Sequence, residues 1–161
     1  MAESSKHELD APPWLRVEST LMSAARGLRR AYDLRLSELG LNLSEAILLA
    51  YLHESTKESE PLTQVDLARH MGVGRAAMGS LVDSLEARGW VERKSNPSDR
   101  RVWLIAITPS GEQTALQITK IDEGLRAELR EGISRKERRE LNRVLNRLRE
   151  NVGRVIGDDV D

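Results

Sequence analysis

Apolar residues recur along the first forty positions as Trp14, Val17, Leu21, Ala25, Leu28, Tyr32, Leu36 and Leu39. Steps of three and four are the period of one helix face. Pro12-Pro13 precede this stretch, where a missing N–H costs little, and Gly40 ends it. Asn42-Leu43-Ser44-Glu45 has capping-box spacing for a second helix. Its run from Ala46 to Leu52 is apolar on all sides, so that helix is expected to be buried on several of them. Residues Glu54 to Pro61 are polar and read as a loop. Thr63-Gln64-Val65-Asp66 can cap a short third helix ending at Gly72. A fourth runs from Gly74 to Arg88, with Met78, Leu81, Val82 and Leu85 on one face and Gly89 closing it.

The period then changes. Trp90-Val91-Glu92-Arg93 and Val102-Trp103-Leu104-Ile105-Ala106-Ile107 are rich in β-branched and aromatic residues, and the turn cluster Asn96-Pro97-Ser98-Asp99 lies between them. This predicts a β-hairpin. Thr108-Pro109 offers N-cap and first-turn positions for a fifth helix bearing Leu116, Ile118, Ile121, Leu125 and Leu129. Ser134-Arg135-Lys136-Glu137 is a second capping box. The sixth helix carries Leu141, Leu145, Leu148, Val152 and Val155, a seam at steps of four, three, four and three.

Composition narrows the classes. The chain has no Phe, three Trp and two Tyr, so its core rests on Leu, Ile, Val and Ala, which suits helices packed on helices. It has no cysteine, which excludes disulfides and thiolate metal sites and suits a cytoplasmic address. The longest purely apolar run, Ala46 to Leu52, cannot span a bilayer. The net charge of −1 hides a gradient: residues 1–62 carry −3, residues 63–107 carry +2 and residues 108–161 carry 0. The basic excess is local, as expected of a footprint on one face.

A short helix, a tight turn and a second helix form a helix-turn-helix, whose second helix can enter a DNA major groove. A hairpin directly after it is a wing. The expected fold is therefore mainly α with a small β-hairpin wing. From here the chain resembles the MarR (multiple antibiotic resistance regulator) family of winged helix-turn-helix transcriptional regulators. The residues that carry the resemblance are Leu62-Thr63-Gln64-Val65-Asp66-Leu67-Ala68, the run Leu81 to Arg93, Asp99-Arg100-Arg101 and Leu104 to Gly111. The resemblance implies a homodimer on a pseudo-palindromic operator, usually repressing, released by a small ligand, often an aromatic carboxylate or its thioester conjugate. It implies a flexible tail over 1–12, dimerisation helices over 13–40 and 109–157, a DNA-binding domain over 41–108 and an acidic tail over 158–161.

Candidate DNA-binding residues follow. Arg75 is the only cation near the start of the fourth helix, and arginine to guanine is the commonest specific base contact; a solvated surface arginine is the plain alternative. Ala76, Gly79 and Ser80 share that face. The small residues suggest either close backbone approach to DNA or tight packing on the third helix. In the family's wing motif the aspartate, here Asp99, holds the arginine fork, here Arg101, toward the minor groove, with Arg100 beside it. Arg93 is a candidate phosphate contact or a solvated charge. For a ligand, a crevice is expected between the first and second helices. Arg29, which interrupts an apolar stripe, is a candidate partner for a carboxylate, and Trp14, Tyr51 and His53 are candidate lining residues.

Other chemistry is not supported. Gly72-Val73-Gly74-Arg75-Ala76-Ala77 fits a dinucleotide fingerprint formally, but that motif needs a buried strand in front of it. His7, His53 and His70 have no metal-ligand spacing, and no nucleophile–base motif is present. No cofactor, metal or catalytic residue is expected. The competing class is a winged-helix protein-interaction module without DNA or ligand control.

Overall fold

The computed structural model describes residue 12 and residues 16–58, 62–97, 99 and 101–157. Among these, six α-helices and three strands follow in order: α1 (Val17–Leu36), α2 (Leu43–Glu58), β1 (Leu62–Thr63), α3 (Gln64–Met71), α4 (Arg75–Ala87), β2 (Val91–Ser95), β3 (Trp103–Ile107), α5 (Pro109–Leu129) and α6 (Arg135–Ile156). The predicted order of helices and hairpin is the observed one. The chain forms two compact units, Met1–Glu123 and Gly124–Asp161, which meet inside the sequence of α5.

Local chemistry sets the boundaries. α1 stops at Leu36, and Ser37–Leu39 tighten into one 3₁₀ turn before Gly40, whose φ of 69° is left-handed. The apolar steps through Leu39 hid this tightening. α2 opens with the expected capping box: Glu45 N–H donates to Asn42 Oδ1 and Asn42 N–H donates to Glu45 Oε2, both at 3.0 Å. The polar stretch read as a loop from Glu54 instead continues α2 to Glu58. Glu and Lys are good helix formers, and polarity alone does not end a helix.

β1 was not visible in the sequence. Two residues are too few to show alternation, yet Leu62 and Thr63 pair with Ile105 and Leu104, which makes the hairpin a three-stranded antiparallel sheet ordered β1-β3-β2. β2 and β3 pair from Val91↔Ile107 to Ser95↔Trp103. Thr63 then caps α3: its hydroxyl accepts from Asp66 N–H at 3.1 Å, and its own N–H donates to Asp66 Oδ2 at 3.2 Å.

The core of the first unit gathers side chains from its helices and from the paired strands. Leu48 and Leu49 of α2, Leu67 of α3, Met78, Val82 and Leu85 of α4, Val91 of β2, Ile105 of β3 and Ala115 of α5 are all buried. α2 is buried on several sides, as its all-apolar run required. The start of α5 is pinned beneath the wing. Thr108 Oγ1 donates to Gly89 O at 2.7 Å and accepts from Gly111 N–H at 3.0 Å, while Thr108 N–H donates to Trp90 O. A Cβ on Gly111 would lie 2.0 Å from the Trp90 carbonyl oxygen, so Gly is required there.

Candidate nucleic-acid interface and effector cavity

The turn before the recognition helix is built on Gly72. Its φ is 62°, and its N–H donates to the last carbonyls of α3. α4 then begins at Arg75 with Gly74 as N-cap. No side chain caps its first turn and no acid lies in it. Those free N–H groups and the helix dipole favour an anion at this end. Met78, Val82 and Leu85 face the core. Arg75, Ala76, Ala77 and Ser80 are exposed, and the Ser80 hydroxyl donates to Ala76 O at 3.2 Å. Gly79 is half-buried, and a Cβ there would meet only Gln64 Nε2, at 3.4 Å. That is ordinary contact, so packing on α3 does not demand glycine at 79.

The wing departs from expectation at two residues. Arg93 has a side chain only 23% exposed, and its guanidinium is held by Asp83 at 2.5 Å and by Glu86, both on α4. Its N–H also donates to Glu86 Oε1 at 3.1 Å. Burial disfavours the Arg93 charge, but the hydrogen bonds to Asp83 and Glu86 outweigh it, so its pKa is raised. Arg93 therefore ties β2 to the recognition helix and offers no free fork to a phosphate. Asp99 also acts differently from the family expectation. Its Oδ1 accepts from the Arg101 backbone N–H at 2.9 Å, so the carboxylate shapes the tip of the wing and does not grip the guanidinium. Val102 N–H donating to Asp99 O, at 3.0 Å, completes that turn. Arg101 is exposed at the tip. Arg100 lies outside the described residues.

A cavity of about 400 Å³ lies between α1, α2 and α5. Its walls are Tyr32 and Leu36, then Leu43, Ala46, Ile47 and Ala50, then Ile118, Thr119, Ile121 and Asp122. Tyr32 OH donates to Asp122 Oδ1 across it at 2.8 Å. The crevice is where the helix order placed it, but its lining is not the expected set. Arg29 instead donates to Ser44 Oγ at 2.9 Å. Tyr51 stacks on His70, ring centroids 3.8 Å apart, and so faces α3. His53 Nδ1 is buried without a hydrogen-bond partner, away from this lining. Trp14 lies outside the described residues. Among the described residues no group of acids and histidines could hold a metal ion, and no helix is long and apolar enough to cross a membrane.

Residues 39–102 match the profile of the MarR family. The chain belongs to the MarR family. A curated relative, an HTH-type transcriptional regulator YdgJ of Bacillus subtilis (strain 168), is 26% identical over 86% of this chain and 82% of its own length. Among solved structures, the transcriptional regulator PA3341 is 30% identical, covers 85% of this chain and 98% of its own, and superposes with a TM-score of 0.72. A complex of S. aureus MepR with DNA has a TM-score of 0.76 at 20% identity, over 83% of this chain and 95% of its own. BpsR of Bordetella bronchiseptica, whose structure concerns regulation of its DNA binding by 6-hydroxynicotinic acid, has a TM-score of 0.77 at 18% identity, over 87% and 97%.

The fold leaves small residues and one arginine, Arg75, on the exposed face of α4. It also shows what residue-by-residue reading missed. Nothing local in the sequence pairs Asp83 and Glu86 with Arg93; β2 lying beside α4 does. Tyr32, Thr119 and Asp122 were legible as helix positions but not as one cavity wall, because contacts 90 residues apart leave no local pattern.

Proposed function

We propose that this MarR-family chain is a homodimeric repressor that binds a pseudo-palindromic operator and leaves it when a small aromatic acid, or a thioester conjugate of one, binds the dimer. The exposed outer face of α4, opposite a face locked into the core, carries the DNA reading. Arg75 reads a guanine edge, Ala76 and Gly79 allow close approach, and Ser80 meets the backbone. Arg101, with Arg100, reaches the minor groove from the wing tip that Asp99 shapes. Arg93 serves as a strut between wing and helix.

The MepR complex with DNA supports this use of the fold. A second copy is supported by the apolar seam of α6, where Leu141, Val152 and Val155 are 47–85% exposed. The cavity supports a ligand with an apolar ring, and its polar groups are the Tyr32 and Thr119 hydroxyls and the Asp122 carboxylate. Arg29, hydrogen-bonded at the first turn of α2, would offer a carboxylate its charge. BpsR, regulated by an aromatic acid, supports that ligand class. A ligand releases DNA only by preferring the state that binds DNA poorly.

The test is titration of operator and random duplex DNA with wild type and Arg75→Ala, repeated with 6-hydroxynicotinic acid and benzoate present. Arg75→Ala should cost about 1–3 kcal/mol on the operator and much less on random DNA. Equal losses on both would make Arg75 a phosphate contact. Operator affinity unmoved by both acids would remove aromatic acids as effectors.

A further inference from the structure

We propose that Glu45 is a positioning residue that joins the cavity wall to the recognition helix, so that packing inside the cavity sets where α4 lies. The inference rests on the reading of the cavity as the regulatory site. Glu45 is a carboxylate only 5% exposed, the one charged side chain among the buried described residues. A buried charge persists only when its oxygens are well partnered. One oxygen, Oε2, completes the capping box with Asn42. Capping needs no more. The other, Oε1, accepts from the Ser84 hydroxyl of α4 at 2.5 Å and lies 3.8 Å from Arg88 Nη2. The same guanidinium donates to the Gly40 carbonyl and lies over the Trp90 ring, 5.2 Å from its centre. The last residues of α4 and the first of the wing therefore close on one corner, residues 40–45.

That corner is also the end of the cavity. Leu43, Ala46 and Ile47, on the same turn as Glu45, line it. Leu43 N–H donates to Asp33 Oδ1 of α1 at 2.7 Å, so the first turn of α2 is tied to α1 as well. A group wedged between α1, α2 and α5 must displace that turn or be excluded. If the turn moves, a short hydrogen bond to Ser84 either carries α4 with it or breaks. Both outcomes change the face that α4 presents to DNA.

The test needs no identified ligand, because a larger side chain can fill the cavity in its place. Ala50→Phe and, separately, Thr119→Phe are made in the full-length protein, alone and combined with Ser84→Ala or Glu45→Gln. Gln keeps the cap but not the charge. Operator and random-duplex affinities are measured, with circular dichroism melting to show that each variant is folded. Each filler alone should weaken operator binding about tenfold, within the usual range of coupling between sites. In either uncoupled background the same filler should weaken it by less than about threefold, a non-additivity that independent sites do not show. A purely capping role predicts that Glu45→Gln behaves as wild type. Full additivity of filler and Glu45→Gln would overturn the role of Glu45 and leave the cavity reading standing. Folded fillers without effect on operator binding would overturn both. If Ala50→Phe unfolds the protein, Thr119→Phe, on the exposed rim of the cavity, decides.

Discussion

The winged lobe and the terminal helix α6 use the same material to opposite ends. Both carry a leucine and valine stripe at helical spacing, a capping box and arginine–carboxylate pairs. In the lobe the stripe closes on itself: Leu48, Leu49, Leu67, Met78, Val82 and Leu85 are essentially inaccessible. In α6 the only buried residue is Gly153, and Val155 of the seam is 85% exposed. A lobe with helices on several sides satisfies its own apolar surface. A single amphipathic helix cannot, and its exposed seam is the surface to which the proposed dimer assigns a second copy.

The largest effect expected from this contrast is on truncation of one leucine in each region. Leu49→Ala should destabilise the protein by about 2–5 kcal/mol, the cost of a cavity in a filled core, and leave the dimer dissociation constant unchanged. Leu148→Ala should instead weaken the dimer, seen as monomer appearing at low concentration in analytical ultracentrifugation. A Leu148→Ala protein that dimerises like wild type would show that the seam faces no partner.

Charged pairs give a smaller contrast. Arg93 is mostly covered and bound to two carboxylates, whereas Arg143 and Glu140 form an exposed pair three residues apart on α6. Arg93→Ala should cost about 1–3 kcal/mol by chemical denaturation, because it removes a mostly covered guanidinium that hydrogen-bonds to two carboxylates. It should also lower operator affinity by loosening the wing. Arg143→Ala should leave stability and DNA binding unchanged, since exposed pairs contribute little. Equal effects at the two positions would mean that the strut is no more than a surface pair.

Capping boxes give the smallest effect and the cleanest acid dependence. The Thr63 hydroxyl, then its N–H, holds the Asp66 carboxyl below the usual aspartate range, and Ser134 does the same for Glu137. A carboxyl with a lowered folded pKa contributes stability above its unfolded pKa and loses it as pH falls through the folded one. Both caps should therefore be at full strength at neutral pH and weaken only in acid, below about pH 4. Thr63→Ala should cost about 1 kcal/mol and lower operator affinity, because α3 supports α4. Ser134→Ala should fray α6 and show in dimer dissociation while DNA binding by intact dimer is kept. Amide exchange at the two helix starts, followed against pH, checks both.

How much of this was readable in advance follows from the range of each interaction. Helix starts at Asn42, Thr63 and Ser134, stops at Gly40 and Gly72, and the change of period at Trp90 all lie within a few residues of the atoms that enforce them. The Thr108-to-Gly111 motif was legible as a helix start, though its reason, a carbonyl 2.0 Å from where a Cβ would be, was not. Which face of α4 stays exposed followed from the spacing of Met78, Val82 and Leu85 alone.

Everything that depended on two distant segments meeting was left to the tertiary structure. β1 exists because β3 offers two residues of edge to pair with, not because Leu62-Thr63 has a strand pattern. Arg93 has the residue type for a phosphate contact and Asp99 the type for gripping an arginine, but sheet pairing and turn closure direct both side chains to partners in their own lobe. The cavity and the Glu45 corner are assembled from helices dozens of residues apart. The chain by itself determined the elements, their caps and their apolar faces, because those rest on local backbone geometry and on the period of burial. The tertiary structure decided which polar groups are spent inside the protein and which remain exposed, because a hydrogen bond between distant residues has no signature until the fold brings them within reach.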